Sequence, residues 1–302
     1  MNSATGRSFA DRPEVSANPL EIDLGLFREQ FPKRPFLVHH QLANHPLFAI
    51  PRLLDLAKSL PESCVEYNEG NIPTNMGNQA SPRTGLSTEE TIRRIQEVHS
   101  WMVLKYVEQD RDYRRLLDAC LDQIRELSEP ILPGMCKREG FIFLTSPHSV
   151  TPFHVDPEHN FLLQVRGRKL VSIFDPADTS VVTEAEIERG LFGKNRNLIY
   201  KTEFQERGQL FKLEAGMGLY FPVVAPHWVK NGEEVSISFS ITFRSQSSER
   251  CGAVRQFNAS VRQRGFHPAP VGHSSVRDTA KYQAYRAIRR TRRAFRCFTH
   301  DA

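Results

Sequence analysis

The spacing of hydrophobic positions changes near residue 140 of the chain. Before that point, apolar residues recur at three- and four-residue steps over 47–60 and 110–127, which predicts two amphipathic helices. A further short helix is predicted after Ser87, because Ser87 and Glu90 have the spacing of a capping box. The stretch 69–86 is rich in Gly, Asn, Pro and Ser, and we expect it to be a long loop.

After Gly140 the pattern becomes one of short β-rich runs separated by turn residues. The runs are 141–145, 161–165, 170–174, 198–202, 210–213, 219–223 and 235–243. Helical spacing returns only at 183–191 and near the C-terminus. Many short strands of this kind favour a barrel or jelly roll over a parallel α/β sheet. The sequence therefore predicts a mainly β fold, α+β overall, with helices on either side of the β region.

Composition indicates an ordinary globular protein. The chain has 302 residues, of which 39% are hydrophobic, enough to bury a core without disulfides. Its five cysteines are scattered and include no C-x-x-C pair, so we interpret them as reduced thiols rather than a zinc site. Neither the polar N-terminus nor any later stretch has the apolar length of a signal peptide or a membrane span. We expect a cytoplasmic protein that does not insert into a membrane.

Charged residues are distributed unevenly along the chain. The net charge is +5, yet residues 245–302 carry twelve Lys/Arg against three Asp/Glu, so the remainder is net negative. We predict a disordered leader at 1–18, a globular domain at 19–244 and a basic C-terminal extension with a helix at 245–302. Two interpretations of the extension stand: a helix that packs on the barrel or on a second copy in a homodimer, or an electrostatic contact with nucleic acid or an acidic partner.

An H-x-D pattern carries the chemistry. His154 and Asp156 lie two residues apart, so on an extended strand both point to one face and can meet one metal ion. His227, far along the chain beyond several predicted strands, is the histidine that we expect to complete the set. Two histidines and one carboxylate leave vacant positions on an octahedral metal, as in non-haem Fe(II) oxygenases. We interpret His148 and His159 as loop or surface groups.

A resemblance to a known family enters at this motif. The run T-P-x-H-x-D-x-x-x-N-F at 151–161, with Lys169 after it, resembles the JmjC-type, cupin-like hydroxylases, and among these most closely the asparaginyl hydroxylases. This resemblance implies a double-stranded β-helix, or jelly-roll barrel, with its core at about 138–244. Two family positions are not matched: an Asn of the last core strand falls near Ser240, and an early-strand Tyr falls near Val103, with Lys105 or Tyr106 beside it.

The same resemblance implies roles for individual residues. His154, Asp156 and His227 would form the catalytic Fe(II) centre, Lys169 and Thr151 would hold the cosubstrate 2-oxoglutarate, and Asn160 would support the cofactor site. The implied activity uses O₂ as second cosubstrate and hydroxylates a C–H bond of a protein or peptide side chain. Hydroxylation of a small metabolite and a non-catalytic, cupin-like binding module remain as alternatives.

Overall fold

The computed structural model describes residues 18–77, 79, 81–193 and 196–298, and the side chains up to residue 291. The predicted leader, apart from Asn18, lies outside the described residues. The strands are β1 (Leu20–Glu21), β2 (Phe36–His40), β3 (Val65–Glu69), β4 (Ser100–Lys105), β5 (Cys136–Thr145), β6 (Val150–His154), β7 (His159–Arg166), β8 (Lys169–Ile173), β9 (Gln209–Leu213), β10 (Met217–Phe221), β11 (His227–Asn231) and β12 (Ser236–Arg244). The helices are α1 (Leu24–Gln30), α2 (Ile50–Ser59), α3 (Thr88–Arg93), α4 (Arg111–Ser128), α5 (Glu184–Phe192), α6 (Gln246–Arg262) and α7 (Ser275–Phe298).

These strands form two antiparallel sheets that face each other. The larger sheet has eight strands in the order β1-β2-β10-β7-β12-β5-β4-β3, and the smaller has four in the order β6-β11-β8-β9. From β5 to β8, and again from β9 to β12, consecutive strands alternate between the two sheets, which gives the jelly roll that the sequence predicted. A cluster of buried side chains that includes Leu162, Val171 and Phe221 fills the space between the sheets.

Strand β12 shows why the sheets take these positions. Its apolar residues Ile237, Phe239, Ile241 and Phe243 alternate with Ser236, Ser238, Ser240 and Thr242. The apolar set packs into the cluster that the larger sheet shares with the N-terminal helices. Because side chains alternate along a strand, the hydroxyl set faces the interior of the jelly roll. Small side chains there leave room for a cavity.

The C-terminal helices are attached to the barrel through helix α5, which carries a buried carboxylate. Helix α5 covers that sheet through an apolar cluster around Phe153, Phe174 and Ile187. The Glu188 carboxylate of α5, only 1% exposed, accepts hydrogen bonds from Arg262 at 2.7 Å and from Asn258 at 2.9 Å, both on α6. Helix α7 in turn packs along α6.

One predicted strand is absent, one predicted helix begins later than expected, and two helices were missed. Residues 198–202 form no strand; Leu198 is buried and its N–H donates to the Phe153 carbonyl at 2.7 Å, a single bond rather than a ladder. Helices α1 and α6 were not predicted. The predicted helix at 47–60 begins at Ile50, with Pro51 in its first turn, where the missing N–H breaks no helical hydrogen bond. Among the described residues, no helix has the length and apolar character needed to cross a membrane.

Candidate active site

Three of the predicted site residues converge at one end of the smaller sheet. Strands β6 and β11 are neighbours, and His154, the last residue of β6, pairs in register with His227, the first of β11. Asp156 follows two residues later. Its Oδ2 lies 3.5 Å from Nε2 of His154 and 3.8 Å from Nε2 of His227. One donor atom from each residue falls within 4.8 Å of the others, a spacing that one metal ion can bridge.

Backbone carbonyls orient both imidazoles. Nδ1 of His154 lies 2.7 Å from the carbonyl oxygen of Pro152, and Nδ1 of His227 lies 2.9 Å from that of Ala225. A carbonyl oxygen only accepts, so each Nδ1 carries the proton and donates it. Each Nε2 is then left with a free lone pair directed at the other ligand atoms. This is the arrangement by which proteins prepare histidine to bind a metal.

The ionisation of the site suits a divalent cation. Burial, followed by repulsion from His154, lowers the pKa of His227 to about 3, so this ring is neutral at physiological pH. Burial alone would raise the pKa of Asp156, but the two imidazoles and Arg196 more than offset it and the carboxyl stays ionised. Neutral imidazole and carboxylate donors fit a first-row transition metal such as Fe(II).

The turn before His227 ties the two ligand segments together. Val224, in the turn from β10 to β11, has a φ of 56°, a conformation that is strained for a β-branched residue. Its backbone N–H donates to the carbonyl of Asp156 at 2.9 Å, and its side chain is buried. The strained conformation of Val224 therefore occurs in the turn that holds the His227 segment against Asp156.

Lys169 has a buried side chain and no counter-charge in the part of the chain that the structure describes. It is the first residue of β8, opposite Asn231 of β11, and is 5% exposed. Within the described part of the chain, its Nζ has no hydrogen-bond or ion-pair partner. Burial lowers the pKa of Lys169 to about 7. Gly167, two residues before Lys169, has a φ of 73°, and a Cβ there would lie 2.5 Å from the Val235 carbonyl oxygen, so the turn that leads into β8 requires glycine.

Thr151 and Asn160 lie in the same cavity, and each has a partner that the sequence did not reveal. Oγ1 of Thr151 accepts the indole N–H of Trp101 at 2.9 Å. Because the hydroxyl oxygen accepts this bond, its own proton is free to be donated elsewhere. Oδ1 of Asn160 accepts the hydroxyl of Ser240 at 2.8 Å. Ser240 thus lies beside Asn160, at the strand position where the family pattern has an Asn.

The cavity that contains these groups has a volume of about 1090 Å³. Its inner part is lined by the predicted metal ligands, Lys169, Thr151 and Asn160, and its outer part by residues of α6 and α7. This volume lies near the upper end of the range typical of ligand pockets. It is large enough for a cosubstrate next to the metal ligands and for part of a second molecule.

Several expectations about neighbouring residues need correction. His159 is not at the surface: it is 3% exposed and its ring stacks on Phe243. His148 is exposed, as expected. Lys105 and Tyr106 line the cavity, but Lys105 pairs with Glu66 and Tyr106 packs on Phe141, and neither reaches Thr151. The early-strand residue that does reach it is Trp101.

Trp101 could have been found from the alternation of strand β4. It lies two residues before Val103, the position at which the family Tyr was sought, and therefore on the same face of the strand. An aromatic side chain with an N–H can donate to a hydroxyl, much as a tyrosine can. What the sequence does not reveal is that the Trp101 side chain points towards Thr151.

Replacing Trp101 with phenylalanine is expected to weaken the binding of an anion beside Thr151 by about fivefold, the equivalent of one hydrogen bond of about 1 kcal/mol. The indole no longer fixes which way the Thr151 hydroxyl donates. We expect a higher KM for 2-oxoglutarate with little change in kcat. Trp228→Phe is the matched control, since Trp228 does not line the cavity. Equal changes of KM in both variants would contradict the positioning role of Trp101.

The jelly roll and its three-donor site together place the chain in the cupin class of proteins. A family model described as a cupin-like domain matches residues 62–297, and the chain belongs to that family. The resemblance seen in the sequence is confirmed at this level.

Comparisons with individual proteins extend this finding only to the fold. JmjC domain-containing protein D of Dictyostelium discoideum is 35% identical over 101 residues, covering 31% of this chain and 22% of that protein. The match thus spans less than a quarter of its relative. The structure of E. coli ycfD aligns with a TM-score of 0.51 at 15% identity, covering 90% of this chain and 68% of that one. A structure of the E. coli ribosomal oxygenase YcfD in complex with cobalt and 2-oxoglutarate aligns with a TM-score of 0.44 at 16% identity, covering 89% and 66%.

Proposed function

We propose that this protein is an Fe(II)- and 2-oxoglutarate-dependent oxygenase that hydroxylates a C–H bond of a protein or peptide side chain. The observation that carries the proposal is the content of one cavity. Two imidazoles and a carboxylate meet at one point, and the buried amine of Lys169, which has no partner among the described residues, lines the same cavity. A metal-chelating anion with a second, distal carboxylate satisfies both features at once, and 2-oxoglutarate is such a molecule.

His154, Asp156 and His227 would hold the metal from one side. Two histidines and one carboxylate occupy one face of an octahedral ion and leave the other positions for ligands from solution. When bound, ferrous iron supplies the oxidising chemistry: one atom of O₂ enters the substrate C–H bond and the other enters succinate as 2-oxoglutarate loses CO₂.

The other residues of the chain would orient the cosubstrate. A buried, unpaired ammonium is costly, and a carboxylate beside Lys169 removes that cost. The free proton of Thr151 can donate to the same carboxylate, while Trp101 sets its direction. Asn160 and Ser240 would fix the polar wall near the metal ligands.

A macromolecular substrate fits the shape of the cavity better than a small metabolite. The cavity is lined by residues of α6 and α7 as well as by the predicted metal ligands, and it reaches the surface at exposed residues such as Arg286 and Arg289. One projecting side chain can enter such a cleft while the rest of a peptide stays outside. A metabolite hydroxylase would need walls that enclose its substrate.

Mass spectrometry of a cell extract tests the proposal. The extract is incubated with the protein, Fe(II), 2-oxoglutarate and O₂, and we expect a peptide that gains the mass of one oxygen atom. The Asp156→Ala variant, which lacks the carboxylate ligand, should give no such product. An oxygen gained by a metabolite instead would support the small-molecule alternative. Absence of succinate formation with any fraction would mean that the cupin-like site only binds.

A further inference from the structure

Helix α7 forms the outer wall of the cavity and presents arginine to it. Arg286, Arg289 and Arg290 line the cavity together with Tyr282 and Tyr285 of the same helix. Spacings of three and four residues place these side chains on one face. The ion pairs between α5 and α6, on which α7 packs, hold this wall against the barrel. The basic C-terminal segment is therefore part of the cavity that contains the predicted metal ligands.

The three arginines have no carboxylate partner among the described residues, whereas three other cations that line the cavity are paired. Lys105 pairs with Glu66, Lys137 lies 2.5 Å from Glu249, and Arg244 lies 2.6 Å from Glu158. Those deeper charges neutralise one another. The positive charge of Arg286, Arg289 and Arg290 therefore has no compensating carboxylate among the described residues.

Tyrosine rings restrict the orientation of two of these arginines. The guanidinium of Arg286 lies 5.6 Å from the centre of the Tyr282 ring, and that of Arg289 lies 5.9 Å from the centre of the Tyr285 ring. Stacking of this kind limits the rotamers of a long side chain and leaves its N–H groups free to donate. Less rotamer freedom then remains to be lost when an anion binds.

We infer that the α7 arginine face, Arg286, Arg289 and Arg290, binds acidic side chains of the peptide whose residue enters the cavity, so that the substrate carries Asp or Glu next to the modified residue. The inference rests on the proposed function and adds a substrate class to it. Guanidinium groups pair with carboxylates through two parallel hydrogen bonds, which favours this partner over an uncharged peptide.

Two observations favour an acidic peptide over a nucleic acid. Single-stranded nucleic acids bind through exposed aromatic faces on which bases stack, but guanidinium groups already lie over Tyr282 and Tyr285. Glu69 and Glu139 also line the cavity, and they would repel a continuous phosphate backbone. A peptide avoids this repulsion because it carries its negative charge only where it contacts α7.

Binding of labelled peptides tests the inference without turnover. The full chain, loaded with Fe(II) and 2-oxoglutarate in the absence of O₂, is titrated against fluorescent peptides of alternating Glu and Gly, alternating Lys and Gly, and an oligouridylate. We expect the acidic peptide to bind, and the triple variant Arg286→Gln, Arg289→Gln, Arg290→Gln to weaken it by roughly tenfold at low salt. Arg286→Glu with Arg289→Glu should shift the preference to the lysine peptide.

A matched triple variant controls for net charge. Arg111, Arg114 and Arg115 are exposed on α4, outside the cavity, and their substitution by Gln removes the same charge. This control should bind the acidic peptide as the unmodified chain does. No binding of the acidic peptide, equal losses in both triple variants, or tighter binding of oligouridylate would overturn the inference. Because O₂ is absent, acidic-peptide binding in a protein that never hydroxylates would leave the surface intact and reject the proposed function instead.

Discussion

Substituting alanine for His154 is expected to weaken the binding of Fe(II) by at least about 100-fold. Loss of an outer-sphere partner already costs roughly 10–100-fold in metal affinity, and loss of a direct ligand costs more. His154 is one of the three donors in the cluster of His154, Asp156 and His227. The centres of the His154 and His227 rings lie 4.1 Å apart. Anaerobic calorimetry with Fe(II), or the visible spectrum with Co(II), measures the effect. Asp156→Ala should behave in the same way.

His148→Asn is the control for this experiment. His148 is exposed and lies in the turn before β6 with a φ of 59°, a conformation that asparagine also adopts readily. The substitution removes a histidine but none of the three predicted metal ligands, so the affinity for Fe(II) should not change. Tight binding retained by His154→Ala in a folded protein would show that the ligands are misassigned.

The fold was predicted well where the sequence alternates strictly. Strand β12 has a hydroxyl or an apolar side chain at every second position, and this pattern identifies both its length and its buried face. Helix α4 was predicted for the same reason, since Tyr113, Leu116 and Leu117 repeat at helical spacing and are buried. In these elements a local period alone determines the packing.

The strands that carry the histidines were harder to predict. Strand β6 contains Pro152, which lacks an N–H and is tolerated because β6 is an edge strand of the smaller sheet. Strand β11 begins at His227 itself, directly after Pro226, and no strand was predicted over 227–231. Both departures from strand propensity occur where the site is formed. Only the pairing of β6 with β11, a long-range contact, reveals the register.

Helix α6 shows a second kind of failure. It buries small side chains, Ala253, Val254 and Ala259, and its N-terminus is capped by Ser245 with Ser248 in place of the usual Glu or Gln. A weak apolar stripe and an uncommon cap give little local signal. The helix is held by pairs such as Arg262 with Glu188 of α5, which lie far apart in the sequence. Its contribution to the cavity wall could not be predicted from its own residues.

Replacing Lys169 with methionine is expected to have two opposite effects. The apparent KM for 2-oxoglutarate should rise by about 100-fold, because a desolvated charge pair contributes several kcal/mol when one partner is lost. The protein without cosubstrate should instead become more stable, by about 2 kcal/mol at pH 6, because the variant no longer buries an unpaired ammonium. Steady-state kinetics and thermal unfolding measure the two effects, and Lys212→Met, exposed on β9, is the control.

The stabilising effect of Lys169→Met should depend on pH in a defined direction. The pKa of Lys169 is about 7 in the folded protein and 10.5 without burial, so the unfolded chain binds the additional proton between these values. The unmodified protein therefore pays its full penalty below pH 7 and gains stability relative to the variant as the pH rises towards 10. A stabilisation of the variant that is equal at pH 6 and pH 10 would show that Lys169 is not buried as a charge. An unchanged KM would show that it does not face the cosubstrate, even if the metal site is correct.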